Sequence, residues 1–266
     1  EAAETAAAVV VKLPAGSTMD QDASDKDAKE HTWSGVDHRL FNLRVGPDYS
    51  RHKAKAPSTA ALFDLVAVDV FSSTLKIDDV AQRFQLPDAS QVNTHNAFVA
   101  PLLVVQIQIP SEMPTSIFSN TGDGPGWSAT MYFRIAEQTC TELQDLSTAS
   151  PAVKLFAKWC EKMQLPNVDA SWARRLKAIG SCTNIDEFGL PSAVTMWNGK
   201  PVLLGHVLTT KKGNDYLELD INIHNFQNIS KRGLFLVSSR AGMTSLQIGF
   251  TIEGKEDAEL PEVLLG

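Results

Sequence analysis

At 266 residues and 43% hydrophobic content, the chain is long enough for one large domain or two small ones with a real core. Its 31 acids against 24 bases give a formal charge of −7, which argues against nucleic acid as the main partner, because phosphate binding draws on a basic surface. No run approaches the roughly 20 apolar residues of a membrane-spanning helix; the longest, Ala97 to Val105, is interrupted by Pro101, so a soluble or peripheral protein is expected.

The first 32 residues read as a flexible or partner-wrapping extension. The start EAAETAAAVVVKLP is Ala-rich and lacks the basic n-region of a signal peptide. With Glu1 in first place, a fragment or a processed product is expected. Residence is expected to be intracellular, in the cytoplasm or at a membrane surface, with an organelle such as a plastid as the alternative once a targeting segment is removed. The polar run STMDQDASDKDAKE has almost nothing to bury, which predicts loop or disorder. Asp20-Gln21-Asp22 mimics the opening of a calcium loop, but Asp25 stands where the sixth-position glycine belongs and His31 where the bidentate acid belongs. A solvated linker is the better reading.

The folded unit, 33–266, is expected to begin near Trp33. Phe41 to Val45 alternates like a strand and ends in a Gly46-Pro47-Asp48 turn. The segment 62–71 reads as a strand with Val66, Val68 and Val70 on one face, broken by Asp64 and Asp69. Ile77 to Phe84 has helical offsets and stops before Pro87. Residues 101–110 alternate cleanly between flanking prolines, which cannot donate from the middle of a ladder. After a Gly/Pro/Ser-rich loop comes a strand carrying Met131, Phe133 and Ile135. Residues 151–164 are the clearest helix, with Ser150 as cap, Pro151 in the first turn, and a stripe of Val153, Phe156, Ala157, Cys160 and Met163. Asn198-Gly199 predicts a hairpin between 193–197 and 201–204, followed by a strand over about His206 to Thr210.

The last third alternates most regularly. Leu217, Leu219, Ile221 and Ile223 oppose Tyr216, Glu218, Asp220 and Asn222, and Leu246, Ile248, Phe250 and Ile252 repeat the pattern. A helix is predicted between them over Phe226–Val237. The chain closes on Glu259-Leu260-Pro261-Glu262, expected to dock or to solvate the surface. Strands with one polar face indicate a mainly antiparallel sheet with several packed helices: an α+β fold in a single domain.

Chemical signatures are sparse. A phosphate loop, a dinucleotide fingerprint, a nucleophile elbow and a zinc-protease helix are all missing from the sequence. Ser50-Arg51-His52-Lys53 has the Ser-x-x-Lys spacing of some acyl enzymes without its companion motifs. The six histidines lack ligand spacing, and Cys140, Cys160 and Cys182 read as free thiols of a reducing compartment, with one bridged pair as the alternative. No metal, cofactor or catalytic residue is expected. Asp69, Glu218 and Asp220 are possible paired carboxylates, with a solvated sheet face as the favoured reading. Asn228-Ile229-Ser230 is a formal glycosylation sequon, set aside because it falls in a helix.

Two groups keep a functional signal. Arg44, Arg51, Lys53 and Lys55 crowd a strand–turn region and are candidates for lipid phosphates. Phe226, Ile229, Leu234, Phe235 and Leu236 make the predicted helix apolar on more than one side, as the wall of a pocket or a docking face; core packing is the bland alternative.

The block Ile252-Glu253-Gly254-Lys255-Glu256-Asp257-Ala258-Glu259-Leu260-Pro261-Glu262, followed by Leu264-Leu265-Gly266, resembles the C-terminal domain of the plant enhanced disease resistance 2 family. Asn214 to Ile223, Leu65 to Phe71, Val104 to Pro110, Phe41 to Val45 with Tyr49 and Lys55, and Arg175 to Ile179 fit further blocks in family order, covering roughly 33–266. The arginine-rich approach to the central block is only partly kept, as Trp172-Ala173-Arg174-Arg175. Plant members carry lipid-binding and lipid-transfer domains upstream, neither of which lies within these 266 residues. The resemblance implies the fold family and lipid- or membrane-linked regulation, without an active site. The expected function is therefore a non-enzymatic module for lipid or another hydrophobic ligand, acting at or near a membrane. A structural or interaction subunit of a larger, membrane-associated assembly is the alternative, and a hydrolase a distant third.

Overall fold

A computed structural model of the chain describes residues 12–22, 31–113, 122–239 and 245–266, the side chains at 193 and 229 excepted. Most of the calcium-like segment, 23–30, lies outside the described residues, as do residues 1–11. Three two-residue strands come first: β1 (Leu13–Pro14), β2 (Asp20–Gln21) and β3 (Thr32–Trp33). β4 (Asn42–Arg44) and β5 (Lys55–Pro57) pair antiparallel around the single-turn helix α1 (Tyr49–His52). Then come the long β6 (Phe63–Ser73), the short α2 (Val80–Arg83), β7 (Phe84–Gln85), β8 (Leu102–Pro110) and β9 (Gly126–Ile135). Helices α3 (Glu137–Leu143), α4 (Pro151–Met163) and α5 (Ala170–Ala173) lead to β10 (Leu176–Cys182). The chain closes with α6 (Ser192–Thr195), β11 (Pro201–Leu203), β12 (Leu208–Lys212), β13 (Tyr216–Asn222), α7 (Asn228–Ser238) and β14 (Leu246–Ile252).

The fold is α+β. A five-stranded sheet runs β12-β13-β8-β9-β6, and a three-stranded sheet runs β11-β10-β14. The alternating strands form as predicted, but one pairing departs from the antiparallel expectation: β13 lies parallel to β8, with Leu219 opposite Val105. Alternation fixes which side chains share a face and carries no information on strand direction, so both orientations fit the pattern.

Both sheets contribute to one core. Leu103, Val105, Phe133, Leu217 and Leu219 of the larger sheet join Leu176, Phe250 and Ile252 of the smaller, with Phe156 and Trp159 of α4. α4 matches its sequence pattern: the Ser150 hydroxyl accepts from the Val153 amide at 3.4 Å, Pro151 opens the first turn, and the predicted stripe is buried. The C-terminal segment adds backbone pairing to both sheets. The Leu265 amide donates to the Phe250 carbonyl at 2.6 Å, and the Phe63 amide donates to the Leu265 carbonyl at 2.8 Å.

Three local expectations change. Residues 192–195 form α6, not a strand, so the Asn198-Gly199 turn joins a helical turn to β11. In β6 the register shifts between Leu65 and Ala67. This bulge puts Val68 into the main core and turns Ala67 and Asp69 to the opposite face, so Val66 and Val68 do not share one. Residues 12–22, expected as loop, lie along the larger sheet: β1 pairs with β7, and Gly16 and Thr18 bond to Asp69.

Candidate functional site

α7 is built inside out. Its fully buried described residues are polar: Asn228, at 6% exposure, and Lys231, at 8%, whose ammonium donates to the His224 carbonyl at 3.0 Å. Burial pushes the Lys231 ammonium down from its ordinary value. Leu234 is 37% exposed, and Phe235 and Leu236 are half-buried. The Ile229 side chain is outside what the structure describes. Phe226, just before the helix, packs partly on the main core and stacks on His206 at 5.5 Å. The sequon asparagine is thus a buried residue opening a helix.

Chain connections bring more apolar surface to this region. Val194 of α6 packs 3.4 Å from where a Cβ on Gly233 would stand. Met196 and Trp197 follow at 52% and 56% exposure. The next residue, Asn198, fixes the end of β10: its side chain accepts from the Cys182 amide at 2.7 Å and donates to the Cys182 carbonyl at 3.1 Å. Cys182 faces Leu246 across the sheet, and Leu246 is also exposed. A cleft of about 380 Å³ lies elsewhere, lined by Val45, Pro47, Ala56, Pro57, Leu260 and Pro261 among others, with no residue of α7.

The four basic candidates divide. Arg44 is held by Glu253 at 2.6 Å and Glu262 at 3.8 Å, and its guanidinium lies 4.8 Å from the centre of the Tyr49 ring. It is a structural cation. Arg51, Lys53 and Lys55 are exposed, with Lys53 near the other end of reach of Tyr49 at 5.4 Å. Ser50 of the Ser-x-x-Lys match is exposed on the same single-turn helix.

The acidic terminus is a dock. Glu262 is 3% exposed and meets the Lys177 ammonium at 2.8 Å through both carboxylate oxygens; it also accepts from the Gly254 amide at 2.9 Å. Glu259 takes Arg175 at 2.9 Å, and Arg175 lies over the Trp172 ring at 4.0 Å. Hydrogen bonds from Lys255, Arg175 and Glu256 outweigh burial and hold the Glu259 carboxyl below its usual range. Burial pulls the Lys177 ammonium down, against the opposing pull of Glu262.

The favoured solvated face of β13 is instead sealed. Glu218 is 0% exposed and Asp220 3%. Glu218 accepts the Val80 and Ala81 amides of α2 at 2.9 and 3.0 Å. Asp69 accepts the Gly16 amide at 2.8 Å, the Thr18 amide at 2.9 Å and the Thr18 hydroxyl at 2.8 Å. The cover is completed by Phe84, which stacks on Phe71 at 5.8 Å and lies 6.5 Å from the Tyr132 ring. Burial, then the neighbouring Glu218 carboxylate, pushes the Asp220 carboxyl up to about 8. Burial and the charge of Asp69 raise the Tyr132 phenol. The three cysteines are free thiols, and burial raises Cys140 and Cys160, so neither is activated.

These features define an α+β domain that closes on itself, with its C-terminal segment ion-paired into the smaller sheet and its N-terminal strap laid on the larger. The chain belongs to the family described as Protein ENHANCED DISEASE RESISTANCE 2, C-terminal, which matches residues 33–266. No solved structure matches the chain.

Proposed function

We propose that the domain is a non-enzymatic binding module that docks on a lipid surface through α7 and the Met196–Trp197 turn. The observation that carries this is the inverted helix: Lys231 and Asn228 face inward while Leu234 and its apolar neighbours stay half-exposed. A surface helix whose apolar side faces outward needs a cover. An exposed Met-Trp pair at a turn suits the boundary between headgroups and acyl chains. No described helix is long and apolar enough to cross a membrane, which is consistent with surface attachment. The cleft elsewhere and the half-buried packing of α7 favour the docking face over the pocket wall. Arg51, Lys53 and Lys55 remain open to anionic headgroups.

The non-enzymatic part rests on the chemistry available. Burial raises the Cys140 and Cys160 thiols, so neither is activated. Asp220, the one carboxyl among the described residues raised toward neutral pH, is buried beneath the strap and α2. Co-sedimentation with phosphatidylcholine vesicles, with and without phosphatidylserine, tests the reading. Binding to lipid that is lost in Trp197→Ser and Leu234→Ser supports it. A folded wild-type protein that stays in the supernatant with both vesicle types overturns it, and leaves a protein partner as the occupant of this face.

A further inference from the structure

The sealed face of the larger sheet holds a row of oxygen-bearing side chains at matching register. Asp220 of β13 lies opposite Gln106 of β8, and Gln106 lies opposite Thr130 of β9. Thr209 of β12 flanks Asp220 at one end, and Asp69 of β6 flanks Thr130 at the other. Residues directly opposite on one face stand about 5 Å apart. Gln106 and Thr130 are both 0% exposed. Both Asp220 oxygens, the Gln106 carbonyl oxygen and the Thr130 hydroxyl have no hydrogen-bond partner in the protein. Gln106 spends its amide on Ser128, at 3.4 Å.

Buried polar atoms without partners are costly, and native interiors satisfy them with protein, water or ions. The nearby acids are already served. Asp69 has three donors and Glu218 two, all from the strap and α2. Asp220 has no such donor: the Glu218 carboxyl is within hydrogen-bond reach, but serves it only with a proton between the two. Its nearest cation, Lys211, stands 3.8 Å away and is drawn to Asp79 at 2.6 Å. The unfilled valences are mostly acceptors, so the group that completes them carries positive charge or donates hydrogen bonds.

We propose that this row is an internal site for one monovalent cation, sodium or potassium, held by Asp220 and Gln106 with water completing its shell toward Thr130. Hard cations take oxygen ligands of this kind, carboxylate and amide carbonyl together with water. Among the described residues, no group of three or more His, Cys, Asp or Glu side chains is placed to hold a metal ion; one carboxylate with neutral oxygens suits a single charge. The ion ties β13, β8 and β9 together beneath the strap and α2. A proton on Asp220 competes with it, under the influence of Glu218 on the same strand, Lys211 on β12, Asp78 and Asp79 before α2, and Asp69 and Tyr132 across the sheet.

The test is thermal unfolding of the whole chain at matched ionic strength in choline, sodium and potassium chloride, at pH 6.5 and 8.5. The site predicts a saturable rise of several degrees in Tm with sodium or potassium over choline, larger at pH 8.5 because the proton has left. Asp220→Asn and Gln106→Leu lose the response. Identical Tm values in the three salts at both pH values overturn the site and leave a proton or water as the occupant. A response retained in folded Asp220→Asn places the ion elsewhere and overturns it as well. Should either variant fail to fold, ²³Na line broadening on the wild-type protein decides: broadening relieved by potassium and by acid supports the site, and unbroadened sodium at pH 8.5, with no potassium-specific rise in Tm, contradicts it.

Discussion

Replacing Lys177 by Met tests the physical role of the family's closing block. Lys177 and Glu262 are each 3% exposed, and the ammonium meets both carboxylate oxygens at 2.8 Å. Removing the ammonium leaves Glu262 buried with the Gly254 amide at 2.9 Å, the Arg44 amide at 3.5 Å and the Arg44 guanidinium at 3.8 Å. Those contacts recover part of the lost interaction, but a buried carboxylate stripped of its main partner costs about 3–5 kcal/mol. That is a large share of a domain stability of roughly 5–15 kcal/mol. Urea denaturation followed by tryptophan fluorescence measures it. Because replacing both charges removes the uncompensated one, Lys177→Met combined with Glu262→Leu is expected to recover most of the loss, to within about 1 kcal/mol of wild type. A single variant within about 1 kcal/mol of wild type, or a double variant worse than the single, refutes the pair as the anchor of the C-terminal segment.

Two further perturbations address the sealed face. Asp220 is raised from 3.8 to about 8 in the folded state. A carboxyl raised on folding favours the native state fully only below its unfolded value, and stability falls as pH climbs from about 4 to about 8. The cost at alkaline pH has an upper limit of roughly 6 kcal/mol. In choline buffers Asp220→Asn is expected to flatten that decline and to gain about 2 kcal/mol or more at pH 8.5; wild-type and variant curves running parallel from pH 5 to 9 contradict it. Asp69→Ala removes the acceptor for three strap hydrogen bonds. Loss of protection at the Gly16 and Thr18 amides in hydrogen exchange, with faster proteolysis within 12–22, is expected at a cost of about 1–3 kcal/mol; wild-type protection of both amides shows that the strap is held by other contacts.

Period-two alternation identified β8, β13 and β14, and the cap and stripe of 151–163 identified α4, because each of these patterns is local. The burial of Glu218 and Asp220 is not local. Alternation puts them on one face, and only residues 15–18 and 77–84, distant in sequence, decide whether water reaches that face. One signal was present: Asp69, Gln106, Glu218 and Asp220 interrupt strands that are otherwise strongly apolar, and polar residues inside central strands need partners. The β6 bulge moved Asp69 to the same face, and no turn residue announces it. Asn198-Gly199 indicated a turn correctly but not what it joins, since Ser192–Thr195 prefers a helical turn next to α7. The apolar positions of α7 surround the helix without forming a stripe, so its sequence left the outward face unassigned.

The docking face is tested most directly by Trp197 itself. In a chain carrying Trp197 as the remaining tryptophan, with Trp33, Trp127, Trp159 and Trp172 each replaced by Phe and the fold confirmed by circular dichroism, vesicles are titrated while emission is followed. Transfer of this half-exposed ring into the interface predicts a blue shift, quenching by brominated acyl chains, and roughly tenfold weaker binding when Leu234 becomes Ser. An emission maximum that does not move, with protein remaining free at saturating lipid, contradicts the proposed function.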